Sequence, residues 1–88
     1  ITKRLKLHNI WIADDDEAIR LVLEESLSSA GFKTKSFNSA DDLLKNLDKE
    51  QPDLIITDVQ MPGMLGYDLL KHINNNYENI PVIVMTAF

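Results

Sequence analysis

Two short apolar runs, each stopped abruptly by acid, constrain this chain more than anything else in it. Ile10-Trp11-Ile12-Ala13 runs into Asp14-Asp15-Asp16, and Leu54-Ile55-Ile56-Thr57 runs into Asp58. Nearly continuous apolar runs of this length are the pattern of parallel strands covered on both faces. In an open parallel sheet, ligands bind in the crevice outside the carboxyl ends of the strands, so acids at two such ends can meet across one crevice. Any function is to be sought there.

The remaining pattern supplies the elements around those strands. Ile19, Val22, Leu23, Leu27 and Ala30 recur at three- and four-residue spacing, and Gly31 sits where a helix commonly ends. Phe32 to Phe37 is mixed, with Lys33 and Lys35 facing one way, which suits an exposed or edge strand. Ser39-Ala40-Asp41-Asp42 opens a second helix with a box-like cap, Asp standing for the usual Glu. That helix carries Leu43, Leu44 and Leu47 and ends before Pro52. Leu69, Leu70 and Ile73 mark a third helix, whose frayed end is read at Asn74-Asn75-Asn76, and Val82 to Met85 is a fourth strand entered through Pro81. The order βαβαβαβ predicts an α/β fold, a parallel sheet with right-handed crossovers and helices on both faces.

Size and charge narrow the partners. The 88 residues suffice for one small domain, which at this length buries only about 60 to 65% of its unfolded surface. A net charge of -5 argues against direct contact with nucleic acid, whose phosphates are gripped by clustered Lys and Arg. With no cysteine, disulfides and thiolate metal sites are excluded, so acids must hold any metal. No run approaches membrane-spanning length, and the basic start has no signal-peptide pattern. The expectation is a soluble cytoplasmic chain. It lacks an initiator Met and stops straight after an apolar run, as a piece of something longer would.

If the first and third strands are neighbours, Asp14 and Asp15 face Asp58, and like charges so close raise one another's pKa unless a cation offsets them. Mg²⁺ suits such an oxygen-only site and typically takes one or two carboxylates plus phosphate oxygens. A carboxylate there can act as nucleophile and form an aspartyl-phosphate. Asp58 is the best candidate, being single and following a buried strand. Thr86 ends the fourth strand and brings a hydroxyl to the same rim, with Ala87 leaving room beside it. Plainer roles compete: Asp16 or Asp15 as a helix cap, Asp58 as a turn residue before Pro62-Gly63, Thr86 as a strand end, Trp11 and Phe37 as core aromatics, and Met61 and Met64 as packing residues.

These residues resemble the receiver domain of bacterial two-component response regulators. The match spans the whole chain and rests on three signatures in order: Ile12-Ala13-Asp14-Asp15-Asp16 with Arg20, Asp58-Val59-Gln60-Met61-Pro62-Gly63-Met64 with Gly66, and Pro81-Val82-Ile83-Val84-Met85-Thr86-Ala87. The wording looks most like nitrogen regulation regulators of the NtrC type. The resemblance implies a flavodoxin-like (CheY-like) doubly wound sheet. It implies Asp58 as phosphoacceptor, Asp14 and Asp15 as the acidic pair binding Mg²⁺ directly or through water, and the backbone carbonyl of Gln60 as a further metal ligand. Thr86 would be the switch hydroxyl, Ala87 the small residue beside it, and Asp16 a cap or minor acid. The implied partners are a sensor histidine kinase and, in the full-length protein, a sigma-54-directed ATPase module and a helix-turn-helix DNA-binding module. The domain itself would be no enzyme.

Two departures matter. Leu65 stands where many relatives carry Asp, and residues 1–88 read as the N-terminal part of a receiver, truncated after the fourth strand. The fourth helix, the fifth strand with its lysine and the fifth helix would be lacking. Val82 to Met85 would then be an uncovered edge, predicting a dimer or swapped self-association. A haloacid-dehalogenase-type phosphatase is the competing enzyme reading, since Asp14-Asp15-Asp16-Glu17-Ala18 nearly meets its motif, with Ala18 wrong. A non-phosphorylated pseudo-receiver is the third. A flavin-binding flavodoxin is disfavoured, because acids occupy the crevice and no hydroxyl- and glycine-rich phosphate loop follows the first strand.

Overall fold

The computed structural model describes residues 8–58, 66–77 and 79–85. Their order is β1 (Asn9–Ala13), α1 (Glu17–Ser29), β2 (Lys33–Phe37), α2 (Ala40–Leu47), β3 (Leu54–Asp58), α3 (Gly66–Asn76) and β4 (Val82–Met85). The four strands form one parallel sheet in the order β2-β1-β3-β4. The architecture is a flavodoxin-like α/β sheet, with the chain reversing direction across the sheet after β2.

Local chemistry sets the helix ends. Asp16 caps α1, its carboxylate accepting from the N–H groups of Ala18 and Ile19, and Ser39 caps α2 by accepting from Asp42 N–H at 3.2 Å. At the far end of α1, Gly31 takes φ +97°. Its N–H donates to the Ser28 carbonyl and that of Phe32 to the Leu27 carbonyl, which is the paired closure that glycine permits after a helix. Helix α3 ends at Asn76, so Asn74, Asn75 and Asn76 form its C-terminal end, as read from the sequence. Asn76 Nδ2 donates to the His72 carbonyl at 2.9 Å, and Tyr77 N–H donates to the Ile73 carbonyl at 2.8 Å, so the last turn is bonded.

The two faces of the sheet are packed unequally. On one, Trp11, Ala13, Phe37 and Ile55 meet Ala40, Leu43 and Leu47 of α2 and Leu69 and Ile73 of α3. Trp11 and Phe37 pack as a tilted pair with ring centroids 5.2 Å apart, and Lys35 Nζ lies 5.5 Å above the Trp11 ring. Successive strand residues point to opposite faces, so Ile10 and Ile12 lie on the other one, which α1 covers beside β1 and β2. The register carries Ile12 to Ile56 and on to Ile83, whose side chain is 50% exposed. Helix α1 itself buries no residue fully, and its Val22 is 63% exposed. The expected apolar residues are therefore on α1, but its partly buried positions are Arg20, Leu23, Glu24 and Leu27, while Ile19 and Val22 are exposed. Among the described residues no helix is long and apolar enough to cross a membrane.

Candidate functional site

Register brings the acids together. Ala13 lies beside Thr57, so one step further Asp14, just past β1, reaches the level of Asp58, the last residue of β3. The β1–α1 turn then carries Asp15 to the same place. One carboxylate oxygen from each of Asp14, Asp15 and Asp58 lies within 4.8 Å of the others. Three hard oxygen donors at such spacing fit a small divalent cation and suit no soft metal.

The three differ in environment. Asp14 is 1% exposed, Asp15 is exposed and Asp58 lies between. Burial pushes the Asp14 carboxyl above the ordinary 3.8, the donated hydrogen bond from Asp16 N–H pulls it back, and the charges of Asp58, Asp15 and Asp16 raise it further. An ionised carboxylate so placed gains from a cation what it lacks from water. Several bonds hold it: Asp14 N–H donates to the Phe37 carbonyl at 3.1 Å, Asp16 N–H donates to Asp14 Oδ1 at 2.9 Å, and Arg20 Nη1 donates to the Asp14 carbonyl at 2.6 Å. With Oδ1 engaged, Oδ2 is the oxygen less committed to the chain.

Asp16 stands apart from the trio. Its Oδ1 accepts from Ala18 N–H at 2.9 Å and from Ile19 N–H at 3.4 Å, which is helix capping. Gln60, Thr86 and Ala87 lie outside the described residues, as do Met61, Met64 and Leu65. The contact of Arg20 with the Asp14 carbonyl was not apparent from residue type. The available signal was position, since a long donor one turn into α1 can reach back to the end of the preceding strand.

Comparison with known proteins identifies the family. Residues 10–88 match the family described as the response regulator receiver domain. The DNA-binding transcriptional regulator NtrC of Proteus hauseri is 47% identical over 79 residues, covering 90% of this chain and 17% of that protein. NtrC of Escherichia coli (strain K12) is 42% identical over 78 residues, covering 89% of this chain and 17% of its own length. The chain thus spans about a sixth of these curated relatives. Among solved structures, the response regulator TrrA from Thermotoga maritima, in complex with Mg(2+)-BeF, superposes with a TM-score of 0.87 at 28% identity, covering 92% of this chain and 70% of that one. The chain belongs to the response regulator receiver domain family, with NtrC among its relatives.

Proposed function

We propose that this domain accepts a phosphoryl group on Asp58 from a sensor histidine kinase, with Mg²⁺ held by Asp14, Asp15, Asp58 and the backbone carbonyl of Gln60. The observation that carries this reading is the convergence of three carboxylate oxygens within 4.8 Å, one of them on a residue that is 1% exposed. An Asp58 oxygen forms the new bond to phosphorus as the donor's bond to phosphorus breaks, leaving an aspartyl-phosphate. When bound, Mg²⁺ supplies positive charge to the phosphoryl oxygens. The rest falls to the chain: Asp14 and Asp15 hold the cation beside Asp58, and Thr86, with Ala87 leaving space, offers a hydroxyl to the phosphoryl group. The aspartyl-phosphate then biases a two-state element that controls an NtrC-like, sigma-54-dependent transcriptional output.

In this reading the domain is a cytoplasmic phosphoprotein and no enzyme, and any ATPase and DNA-binding modules belong to the longer protein. The capping role of Asp16 disfavours a dehalogenase-type phosphatase, whose second motif acid would have to be free for proton transfer. Self-association along β4 belongs to the same reading, because β4 ends the sheet among the described residues and Ile83 on it is half exposed. A monomeric sedimentation profile at high concentration would remove that part alone.

The test is intact mass after incubation with Mg²⁺ and a small acyl phosphate. One phosphoryl adduct on the parent and none on Asp58→Asn is the expected outcome. No adduct on either protein, with Mg²⁺ binding verified, would make this a pseudo-receiver.

A further inference from the structure

We infer that Arg20 is a positioning residue for the acidic site, acting through the main chain of Asp14. The inference rests on the reading that Asp14, Asp15 and Asp58 hold Mg²⁺. Asp14 is the most buried of the three, and its direction is set from three sides. Its N–H is tied to β2 through the Phe37 carbonyl, its Oδ1 to the Asp16 N–H, and its carbonyl to Arg20 Nη1 at 2.6 Å. The first two bonds come from neighbouring backbone. The third reaches back from inside α1 and fixes the helix against the end of β1. The Arg20 bond holds the Asp14 carbonyl, and with it the start of the turn from which Asp14 and Asp15 both project, in one place relative to α1.

Arg20 does this without consuming a ligand. Among the described residues it makes no ion pair with a carboxylate, and its guanidinium donates to a neutral carbonyl. A planar, permanently charged donor on a long arm suits that task, and Arg20 is partly buried on α1. Two roles are separable by sign. As a mere counter-charge beside acids, Arg20 would weaken cation binding, and its removal would tighten Mg²⁺. As an orienting partner of a metal ligand, its removal loosens Mg²⁺.

The experiment is calorimetric titration of the full chain with Mg²⁺ for the parent, Arg20→Met and Arg20→Lys, with melting followed in chelator alongside. The expected result is a Kd about 10-fold weaker for Arg20→Met, the low end for loss of an outer-shell partner, and an intermediate value for Arg20→Lys. An unchanged or tighter Kd in folded Arg20→Met overturns the inference, even if its melting temperature falls, because only stability would then depend on Arg20. If Arg20→Met does not fold, Arg20→Lys decides: a Kd weakened by about twofold or more upholds positioning, and an unchanged Kd overturns it. Absence of Mg²⁺ binding in the parent would instead sink the reading on which the inference stands.

Discussion

The backbone N–H of Asp16 donates to Oδ1 of Asp14 at 2.9 Å, so the acid that caps α1 also braces the acid buried beside Asp58. That one bond lowers the Asp14 pKa, yet burial and the surrounding carboxylates outweigh it and leave the group raised above 3.8. The folded state therefore holds the Asp14 proton more tightly than the unfolded state does. Its contribution to stability is fully present below pH 3.8 and is lost as pH rises through the folded value. At neutral pH without metal, Asp14→Asn removes the penalised charge and is expected to stabilise the domain by about 1 kcal/mol, several degrees in melting temperature. Saturating Mg²⁺ should reverse the ranking. A site filled at about 100 times its Kd gains about 2.7 kcal/mol, a gain that chelator abolishes and Asp14→Asn forfeits. Thermal melts of both proteins, with Mg²⁺ and with chelator, check the crossing.

Asp53 shows the opposite sign at the other end of the sheet. Its Oδ2 accepts from Asn9 N–H at 2.8 Å and from His8 N–H at 2.9 Å, while its own N–H donates to the Asn9 carbonyl. The Asn9 bond, then the His8 bond, hold this carboxyl below 3.8. Its stabilisation is present above that value and lost as pH falls through the folded one. Asp53→Asn is expected to cost about 1 kcal/mol near neutrality, because solvent competes for an exposed charge-assisted bond, and almost nothing near about pH 2. Urea midpoints at the two pH values measure the difference directly.

The unequal faces of the sheet give a third expectation. Leu43 is fully buried between α2 and the sheet, so Leu43→Ala should cost about 2 to 5 kcal/mol, enough to threaten a domain of this size. Val22 has the same apolar character and stands 63% exposed on α1, so Val22→Ala should fall within about 0.5 kcal/mol of the parent. Denaturant titration of the pair checks whether α1 contributes its apolar stripe to the core. Equal losses would mean that the stripe is covered in solution.

These contrasts trace what could be read from residues alone. The strands of the sheet were legible because Ile10-Trp11-Ile12-Ala13 and Leu54-Ile55-Ile56-Thr57 are short apolar runs bounded by turn chemistry, and Gly31 and Ser39 marked helix limits through backbone and cap requirements. Burial along α1 was not legible. Periodicity reports that a stripe exists, whereas its depth depends on which sheet face α1 overlies. The meeting of Asp14 with Asp58 followed from strand ends, since register can be guessed once two parallel strands are adjacent. The contacts made by Asp53 and Arg20 could not be guessed that way. Each joins a side chain to the main chain of another element, and such bonds leave no period in sequence.

Asp16 supplies the last and most discriminating case, because it is adjacent to two proposed metal ligands and carries the same carboxylate. Its Oδ1 is occupied by the N–H groups of Ala18 and Ile19, and it is absent from the trio whose oxygens lie within 4.8 Å. Asp16→Ala should thus destabilise the domain by about 1 kcal/mol, the usual loss for an N-cap, with little loss of Mg²⁺ affinity. Asp16→Ser, which restores a capping oxygen without charge, should recover most of the stability. Asp15→Ala should do the reverse, sparing the melting temperature in chelator and weakening Mg²⁺. Paired melting and calorimetric titration of these variants would separate the cap from the ligand, and a loss of Mg²⁺ binding in Asp16→Ser as large as that in Asp15→Ala would place Asp16 in the metal site after all.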